Sequence, residues 1–158
     1  MRPIHNPFAT MEEHNCFCCS PNHPIGLKLV FFEDGEWVLA QWKPDVRYTG
    51  YKNIIHGGIQ STLMDEVAAW VVYIKAATAG VTSRMEVRYR KPVSASIVLL
   101  SIRGKLVDCN RRIAKVQVEI LDDQMQVYAE ALVDYFLYSP EKAATELDYP
   151  GLESFFKP

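Results

Sequence analysis

The residues best suited to chemistry form one short segment, in which a histidine and two glycines precede an aspartate. The segment reads His56-Gly57-Gly58-Ile59-Gln60-Ser61-Thr62-Leu63-Met64-Asp65-Glu66. Adjacent glycines at a helix start let the backbone approach a ligand closely, and they leave N–H donors at the positive end of the helix dipole. Such donors stabilise a developing oxyanion or a phosphate. The alternative is that Gly57 and Gly58 supply only a tight turn.

Asp65 is the second candidate, because it lies in the middle of a predicted helix that has little polar surface. At about 100° per residue, one apolar stripe on this helix contains Ile59, Leu63, Val67, Trp70, Val71 and Ile74. A buried acid costs free energy unless it is paired or used, and burial would raise the pKa of Asp65 towards the range of a general base. The alternative is a solvent-facing Asp65 with Glu66 as its exposed neighbour.

The spacing of the two candidates limits how they could act together. Asp65 follows Gly57 by eight residues, which is about 12 Å along a helix axis. One substrate carbonyl cannot contact both groups of the same helix. If both groups act, the helix start of one subunit must face Asp65 of another, and the site lies at a dimer interface.

The elements that must position these residues follow a simple order along the chain. Residues 1–24 form an irregular lead-in, residues 25–138 the main domain, and residues 139–158 a C-terminal helix and tail. Within the domain the pattern predicts two strands, one long helix and then four strands. Their predicted ranges are 26–32, 37–42, 59–77, 84–90, 95–107, 112–121 and 125–138. One helix packed on one curved antiparallel sheet of about six strands is an α+β architecture, and its uncovered edge strand and outer helix face invite a partner subunit.

Length and composition restrict the class of protein. A chain of 158 residues with 49% hydrophobic and 23% charged residues is one globular domain. Its formal net charge of −2 argues against a bulk-basic nucleic-acid binder. No apolar run approaches the roughly 18–20 residues of a membrane-spanning helix, and the N-terminus lacks a secretory signal. We therefore expect a cytoplasmic protein with no nucleic-acid or membrane partner.

Three of the four cysteines, Cys16, Cys18 and Cys19, cluster in the lead-in between His14 and His23. As a set they do not match the common zinc sites, which have two residues between paired cysteines and a second pair further along the chain. Buried, reduced thiols that anchor the lead-in are the preferred interpretation, with metal binding as the alternative.

A basic stretch follows the predicted helix. Four cations fall within eight residues, Arg84, Arg88, Arg90 and Lys91, and only Glu86 opposes them. They form either a solvated strand face with cross-strand ion pairs or a contact for an anionic ligand.

Taken together, these segments resemble the hotdog-fold acyl-CoA thioesterases of the PaaI-like branch. The similarity rests on Asn53-Ile54-Ile55-His56-Gly57-Gly58 with Asp65 nine residues after the histidine, and on the lead-in Cys16-Phe17-Cys18-Cys19-Ser20-Pro21-Asn22. The stretch from Thr82 to Pro92 is similar to the strand that follows the central helix in this family. The resemblance covers about residues 16–138.

The resemblance implies a sheet wrapped around the central helix, a homodimer or homotetramer, and thioester hydrolysis. Asp65 would be the catalytic carboxylate, acting as general base on water or as nucleophile. Gly57, together with Gly58, would polarise the thioester carbonyl. Thr82 would orient water, and His56 would support the turn.

Substrate contacts and alternatives follow from the same resemblance. Gly58, Asn53, Arg88, Arg90 and Lys91 are expected to bind the acyl-CoA substrate, whose coenzyme A carries phosphates; no metal and no further cofactor are expected. Many relatives carry Asn or Gln where this chain has Gly50. Two other functions stay open, a non-catalytic acyl-CoA binding or sensing protein and a hotdog dehydratase. A dehydratase usually needs an Asp/His pair, and the remaining histidines all lie in the lead-in: His5, His14 and His23.

Overall fold

The computed structural model describes residues 1–157 and contains one antiparallel sheet and two helices. The strands are β1 (Arg2–Ile4), β2 (Val30–Asp34), β3 (Trp37–Trp42), β4 (Gly80–Tyr89), β5 (Leu100–Cys109), β6 (Ile113–Leu121) and β7 (Val127–Leu137). The helices are α1 (Gly57–Val71) and α2 (Pro140–Glu146). The strand order is β1-β2-β3-β5-β6-β7-β4, with seven strands where about six were predicted. The predicted α+β hotdog arrangement, one central helix wrapped by an antiparallel sheet, is confirmed.

The apolar stripe predicted on α1 is the face that packs against the sheet. Leu63, Val67, Trp70 and Val71 are fully buried, and the Trp70 ring stacks on Phe31 of β2 with centroids 3.8 Å apart. Stacked aromatic rings of this size contribute both apolar area and specific geometry to a core. The stripe therefore fixes the rotation of α1, and with it the direction in which the polar residues of the helix point.

The helix differs from its predicted range at both ends. It was predicted over residues 59–77, but it begins at Gly57 and its regular part ends at Val71. The chain continues as a wider π-helical turn, Val72–Ala76, and stops at Ala77, whose φ of 52° is left-handed. No helix within residues 1–157 is long and apolar enough to cross a bilayer.

Both chain ends cover the outer side of α1, so the lead-in is more ordered than expected. Its first residues form β1, which pairs with β2 and adds the seventh strand. The backbone N–H of His5 donates to the Phe155 carbonyl at 2.8 Å, and the Phe155 ring packs on Trp70 with centroids 5.6 Å apart. The expectation of a wholly irregular lead-in was wrong because the short strand finds its partner through β2, which no local pattern reveals. The domain limits at 24/25 and 138/139 stay predictions.

Two predicted strands begin later than expected. The first was predicted from residue 26, but Lys28 has a φ of 54° and β2 starts at Val30. The other was predicted over 95–107, but β5 starts at Leu100 and extends to Cys109. In each case the missing residues bond to a loop instead of to a neighbouring strand, as when Leu29 N–H donates to the Cys18 carbonyl at 2.8 Å.

Gly80 starts β4 at a place where the backbones of two strands approach closely. A Cβ added at Gly80 would lie 2.2 Å from the carbonyl oxygen of Phe136 in β7. Backbone cannot move aside as a flexible side chain can, so the close approach requires glycine. It also sets the start of the strand that carries Thr82.

We expect Gly80→Ala to lower the free energy of unfolding by about 2–3 kcal/mol, because the added methyl group forces β4 and β7 apart. Urea unfolding followed by tryptophan fluorescence measures this change. Gly57→Ala is the matched control, since a Cβ there meets Tyr89 at an ordinary 3.4 Å. Equal unfolding midpoints for Gly80→Ala and the wild type would contradict the packing described.

Candidate active site

Asp65 lies on the side of α1 that faces β4 and β7, and hydroxyl groups hold its carboxylate. The Thr82 hydroxyl donates to Oδ1 at 2.8 Å, and the Tyr135 hydroxyl lies 2.8 Å from the same oxygen. Tyr135 also lies 2.9 Å from the backbone carbonyl of Asp65. Oδ2 has no hydrogen-bond partner among residues 1–157, so one oxygen of a fixed carboxylate is available to a reactant.

Thr82 and Tyr135 reach Asp65 together because they are paired across two strands. The register of β4 and β7 places Thr82 opposite Tyr135, just before the bulge between Thr82 and Arg84. Cross-strand partners project to the same face of a sheet. The sequence analysis identified Thr82 and missed Tyr135, although the period-two pattern of the last strand places Tyr135 on the inner face together with Val133.

The start of α1 presents one backbone donor. His56 is the N-cap residue, and its Nδ1 accepts the Gly58 N–H at 2.8 Å. A neutral ring in that arrangement carries its proton on Nε2. Because the Gly58 N–H is already bonded, it is not a free donor, contrary to expectation. The Gly57 N–H has no acceptor within residues 1–157, and it is the donor available at the positive end of the helix dipole.

A pocket of about 470 Å³ opens beside this helix start. Its lining residues are Gly50, Tyr51, Ile54, Ile55, His56, Gly57, Gln60, Tyr89, Arg90, Lys91 and Pro92. Tyr89, at the end of β4, links the strand to the helix: its hydroxyl donates to the Gly57 carbonyl at 2.9 Å and lies 2.6 Å from Ser61 Oγ. A mostly apolar pocket with a few polar groups at one end is typical of small-molecule sites.

Gln60 is a pocket residue to which the sequence analysis gave no role. Its side chain is only 4% exposed, and Nε2 donates to the Ile55 carbonyl at 3.2 Å. Oε1 is buried with no hydrogen-bond partner among the described residues. An unpaired buried acceptor costs about 1–3 kcal/mol, and Gln60 is one of the residues that line the pocket. The only feature of the sequence that could have indicated a role for Gln60 is its position in the first turn of the helix, close to the glycine pair.

The predicted cationic residues divide into two groups. Arg90 and Lys91 line the pocket, where Arg90 pairs with Glu130 and Lys91 Nζ donates to Gln126 Oε1 at 2.8 Å. Arg88 instead lines a separate groove with Glu130. The basic stretch therefore forms ion pairs on a solvated strand, and its contact with an anionic ligand stays a prediction.

Asn53 and Gly50 make contacts within the chain that hold the loop before α1. Asn53, at a φ of 60°, donates to Ser94 Oγ at 2.9 Å and accepts from Ser96 Oγ at 3.1 Å, which uses both ends of its amide. It lies outside the pocket lining. A Cβ at Gly50 would lie 3.1 Å from the His56 ring, so a larger residue, as many relatives carry there, would require the imidazole to move.

Glu66, the residue after Asp65, points to the lead-in, and both carboxylates are partly buried. Burial raises the pKa of Glu66 to about 7, and the nearby Cys16 adds to this effect. Trp70 Nε1 donates to Glu66 Oε1 at 2.9 Å. Asp65 is therefore neither fully buried nor fully exposed, and Glu66, which the alternative interpretation had placed in solvent, is partly buried as well.

The cysteine cluster of the lead-in packs against Glu66. Cys18 and Cys19 are buried, Cys16 is partly buried, and none of the four cysteines forms a disulfide. Hydrogen bonds from the thiols and backbone of Cys18 and Cys19 hold the pKa of Cys16 well below its usual range. The same thiol contacts, with burial, raise the pKa of the other two.

Comparisons with known proteins give a family match, a curated relative and solved structures with the same fold. Residues 52–129 match the thioesterase superfamily. An uncharacterized protein of Schizosaccharomyces pombe is 29% identical over 89 residues, which are 56% of this chain. The match spans 47% of the yeast protein, about half of its length.

Solved structures share the fold at low identity. A Streptococcus mutans protein bound to acetyl CoA has a TM-score of 0.65 at 21% identity, covering 71% of this chain and 90% of that one. A hypothetical thioesterase of Streptococcus pneumoniae with coenzyme A has a TM-score of 0.64 at 22% identity, covering 70% and 88%. Zebra fish thioesterase superfamily member 2 has a TM-score of 0.66 at 18% identity, covering 76% and 89%.

The helix enclosed by an antiparallel sheet is the hotdog fold of these neighbours, and within it residues 52–129 match the thioesterase superfamily.

Proposed function

We propose that the protein is an acyl-CoA thioesterase whose active site forms between two copies of the chain. The observation that carries the proposal is the carboxylate of Asp65, fixed through Oδ1 by Thr82 and Tyr135 with Oδ2 left without a partner. A carboxylate held in this way at the edge of an apolar core is suited to activate a reactant, because its position is fixed before the substrate arrives.

The reaction needs only groups that the chain supplies. Asp65 removes a proton from water, or attacks the carbonyl carbon itself. The new bond is from oxygen to the carbonyl carbon, and the negative charge that develops on the carbonyl oxygen is stabilised by the Gly57 N–H at the helix start. The carbon–sulfur bond then breaks, and the thiolate of coenzyme A leaves and takes up a proton. Where Asp65 is the nucleophile, water hydrolyses the resulting anhydride.

The proposed interface is the free edge of β4. This strand ends the sheet, and it exposes Val81 and Tyr89. Antiparallel pairing of two copies about an axis midway between Met85 and Glu86 would place Thr82 opposite the partner's Tyr89, since the two residues lie equally far from that midpoint. Thr82 contacts Asp65, and Tyr89 contacts Gly57. The pairing thus brings the acid of one subunit towards the helix start of the other.

The substrate class is supported by charge and by the neighbours. Arg90 and Lys91 at the pocket offer cations to the phosphates of a nucleotide. Two structural neighbours were solved with acetyl CoA or coenzyme A. Further structures of the S. pneumoniae protein carry alanine in place of an aspartate and of a threonine 16 residues later; here Asp65 and Thr82 are 17 residues apart.

Asp65→Asn is the decisive variant. We expect thiol release from a panel of acyl-CoAs to fall by about 10²–10⁴, because the amide keeps the volume of the carboxylate and loses its basicity. Thiol release is measured with a colorimetric thiol reagent, and circular dichroism reports the fold. Asp123→Asn, an exposed loop aspartate, is the matched control and should keep full activity.

Two outcomes would contradict the proposal. Asp65→Asn as active as the wild type would remove Asp65 from the reaction. Coenzyme A binding without any thiol release from the wild type would favour the acyl-CoA binding or sensing function.

The role of the Gly57 N–H can be tested with two substitutions at the same position, one that removes the donor and one that retains it. Gly57→Pro removes the N–H at the first helical position, where proline is tolerated, and His56 already has the extended backbone that precedes proline, with ψ of 135°. We expect kcat to fall about 10²–10³-fold. Gly57→Ala retains the N–H and should stay within a few-fold of the wild type. Equal losses in both variants would indicate that the added atoms matter, and not the donor.

A mixed dimer tests whether the site is shared between subunits. Asp65→Asn and Gly57→Pro chains carrying different tags are co-expressed, and the heterodimer is purified on both tags. If Asp65 of one chain works with the partner's Gly57, one of the two sites is intact, so we expect about half of the wild-type activity. A site confined to one chain predicts an inactive heterodimer.

A further inference from the structure

The lead-in places a set of metal-ligating side chains against the outer side of α1, away from the Gly57 pocket. One ligand atom from each of His14, Cys16 and Cys19 lies within 4.8 Å of the others. A second group of the same compactness contains Cys16, Cys18 and Glu66. Cys16 belongs to both groups, so its thiol links the imidazole of His14 to the carboxylate of Glu66.

The spacing of the donor atoms fits a tetrahedral ion. Cys19 Sγ lies 3.7 Å from His14 Nε2, and Cys16 Sγ lies 3.7 Å from Glu66 Oε2. With metal–sulfur bonds of about 2.3 Å and metal–nitrogen or metal–oxygen bonds of about 2.05 Å, tetrahedral angles separate such donors by about 3.6 Å. These two pairs therefore already have the separation of neighbouring ligands in a zinc coordination shell.

The backbone around Cys16 has the local geometry of a metal-binding turn. Cys16 and Cys19 are separated by two residues, the spacing of paired zinc ligands. The N–H groups of Cys18 and Cys19 both point at Cys16 Sγ, at 3.3 and 3.4 Å. The chain has no second cysteine pair further along, and His14 and Glu66 would supply the other two ligands instead.

The outer contacts orient two of the donors. Trp70 Nε1 donates to Oε1 of Glu66, which leaves Oε2 towards Cys16. The His14 ring stacks on Phe8 with centroids 5.2 Å apart, and this directs Nε2 at Cys19. Partners that fix the orientation of ligands are characteristic of protein metal sites.

We propose that His14, Cys16, Cys19 and Glu66 bind one zinc ion, in a site separate from the proposed active site. Two thiolates with an imidazole and a carboxylate favour Zn²⁺ over harder cations such as Mg²⁺ or Ca²⁺. Four protein ligands leave no open position, so the ion is structural. An adjoining pocket lined by Glu12, Glu13 and Asp148, with a volume of about 630 Å³, gives a cation an acidic entry path.

The site joins parts of the chain that are distant in sequence. Three ligands come from the lead-in, and the fourth, Glu66, comes from α1 directly after Asp65. Zinc binding would therefore fasten the lead-in to the helix next to the proposed catalytic carboxylate. Cys18 is not a ligand in this assignment, although its thiol also lies within 4.8 Å of the ligand atoms of Cys16 and Glu66.

Cobalt substitution tests the site independently of any activity. The full chain is stripped with a chelator, kept reduced and titrated with Co²⁺, which reports tetrahedral thiolate coordination through its visible and near-ultraviolet absorption. We expect saturation at about one Co²⁺ per chain, displacement by Zn²⁺, and a higher Tm in the presence of zinc. Cys16→Ala, His14→Gln and Glu66→Gln should each abolish or strongly weaken the tetrahedral spectrum. Cys109→Ala, which removes an exposed and distant thiol, should leave it unchanged.

Each alternative has its own readout. If Cys16→Ala does not fold, His14→Gln and Glu66→Gln decide, because both retain all the thiols and Glu66→Gln can still accept the Trp70 N–H. Loss of the spectrum in Cys18→Ala with retention in Glu66→Gln would overturn the ligand assignment. A reduced wild-type chain that gives no tetrahedral cobalt spectrum would overturn the site itself. This holds whether or not Cys16 and Cys19 form a disulfide when the chain is oxidised.

Discussion

The pair of hydroxyl groups on the Asp65 carboxylate is the interaction on which the rest of the site depends. It requires Thr82 and Tyr135 to be cross-strand partners, and it therefore requires β4 to lie beside β7 at the end of the sheet. That location leaves the outer edge of β4 uncovered. The same strand ends in Tyr89, which is bonded to the helix start. One edge strand thus connects the carboxylate, the backbone donor and the proposed subunit contact.

Much of this arrangement could be predicted from sequence because it is periodic or local. The apolar stripe of α1 has a helical period, and its central members Leu63 and Val67 are fully buried, as the period predicts. The alternation of residues 84–90 predicted the strand after the helix, whereas Thr82 was named only through the family resemblance. Gly57 and Gly58 predicted an accessible helix start, but only the structure shows that His56 takes up the Gly58 N–H.

The remaining features depend on contacts between distant residues, which no local pattern reveals. Tyr135 is 70 residues from Asp65, and Cys16 is 50 residues from Glu66. The apolar surface of α1 indicated that its acids are covered, but it did not tell which of the two adjacent, partly buried carboxylates would meet hydroxyl groups. That choice is set by the lead-in, whose thiols cover Glu66 and leave Asp65 to the hydroxyl groups. The spacing of the cysteines along the chain likewise did not reveal that His14 and Glu66 lie beside them in space.

The Tyr89 hydroxyl belongs at once to the free edge of the sheet and to the wall of the pocket. Where a single side chain is shared in this way, occupancy of the cavity and association of subunits become thermodynamically linked. A molecule bound against Gly57 fixes the end of β4, and a fixed strand end loses less conformational entropy when a second strand is added to it. By reciprocity, association of the two proposed subunits would prepare the cavity for a ligand. The apparent affinity for a dilute ligand would then depend on the concentration of the protein itself.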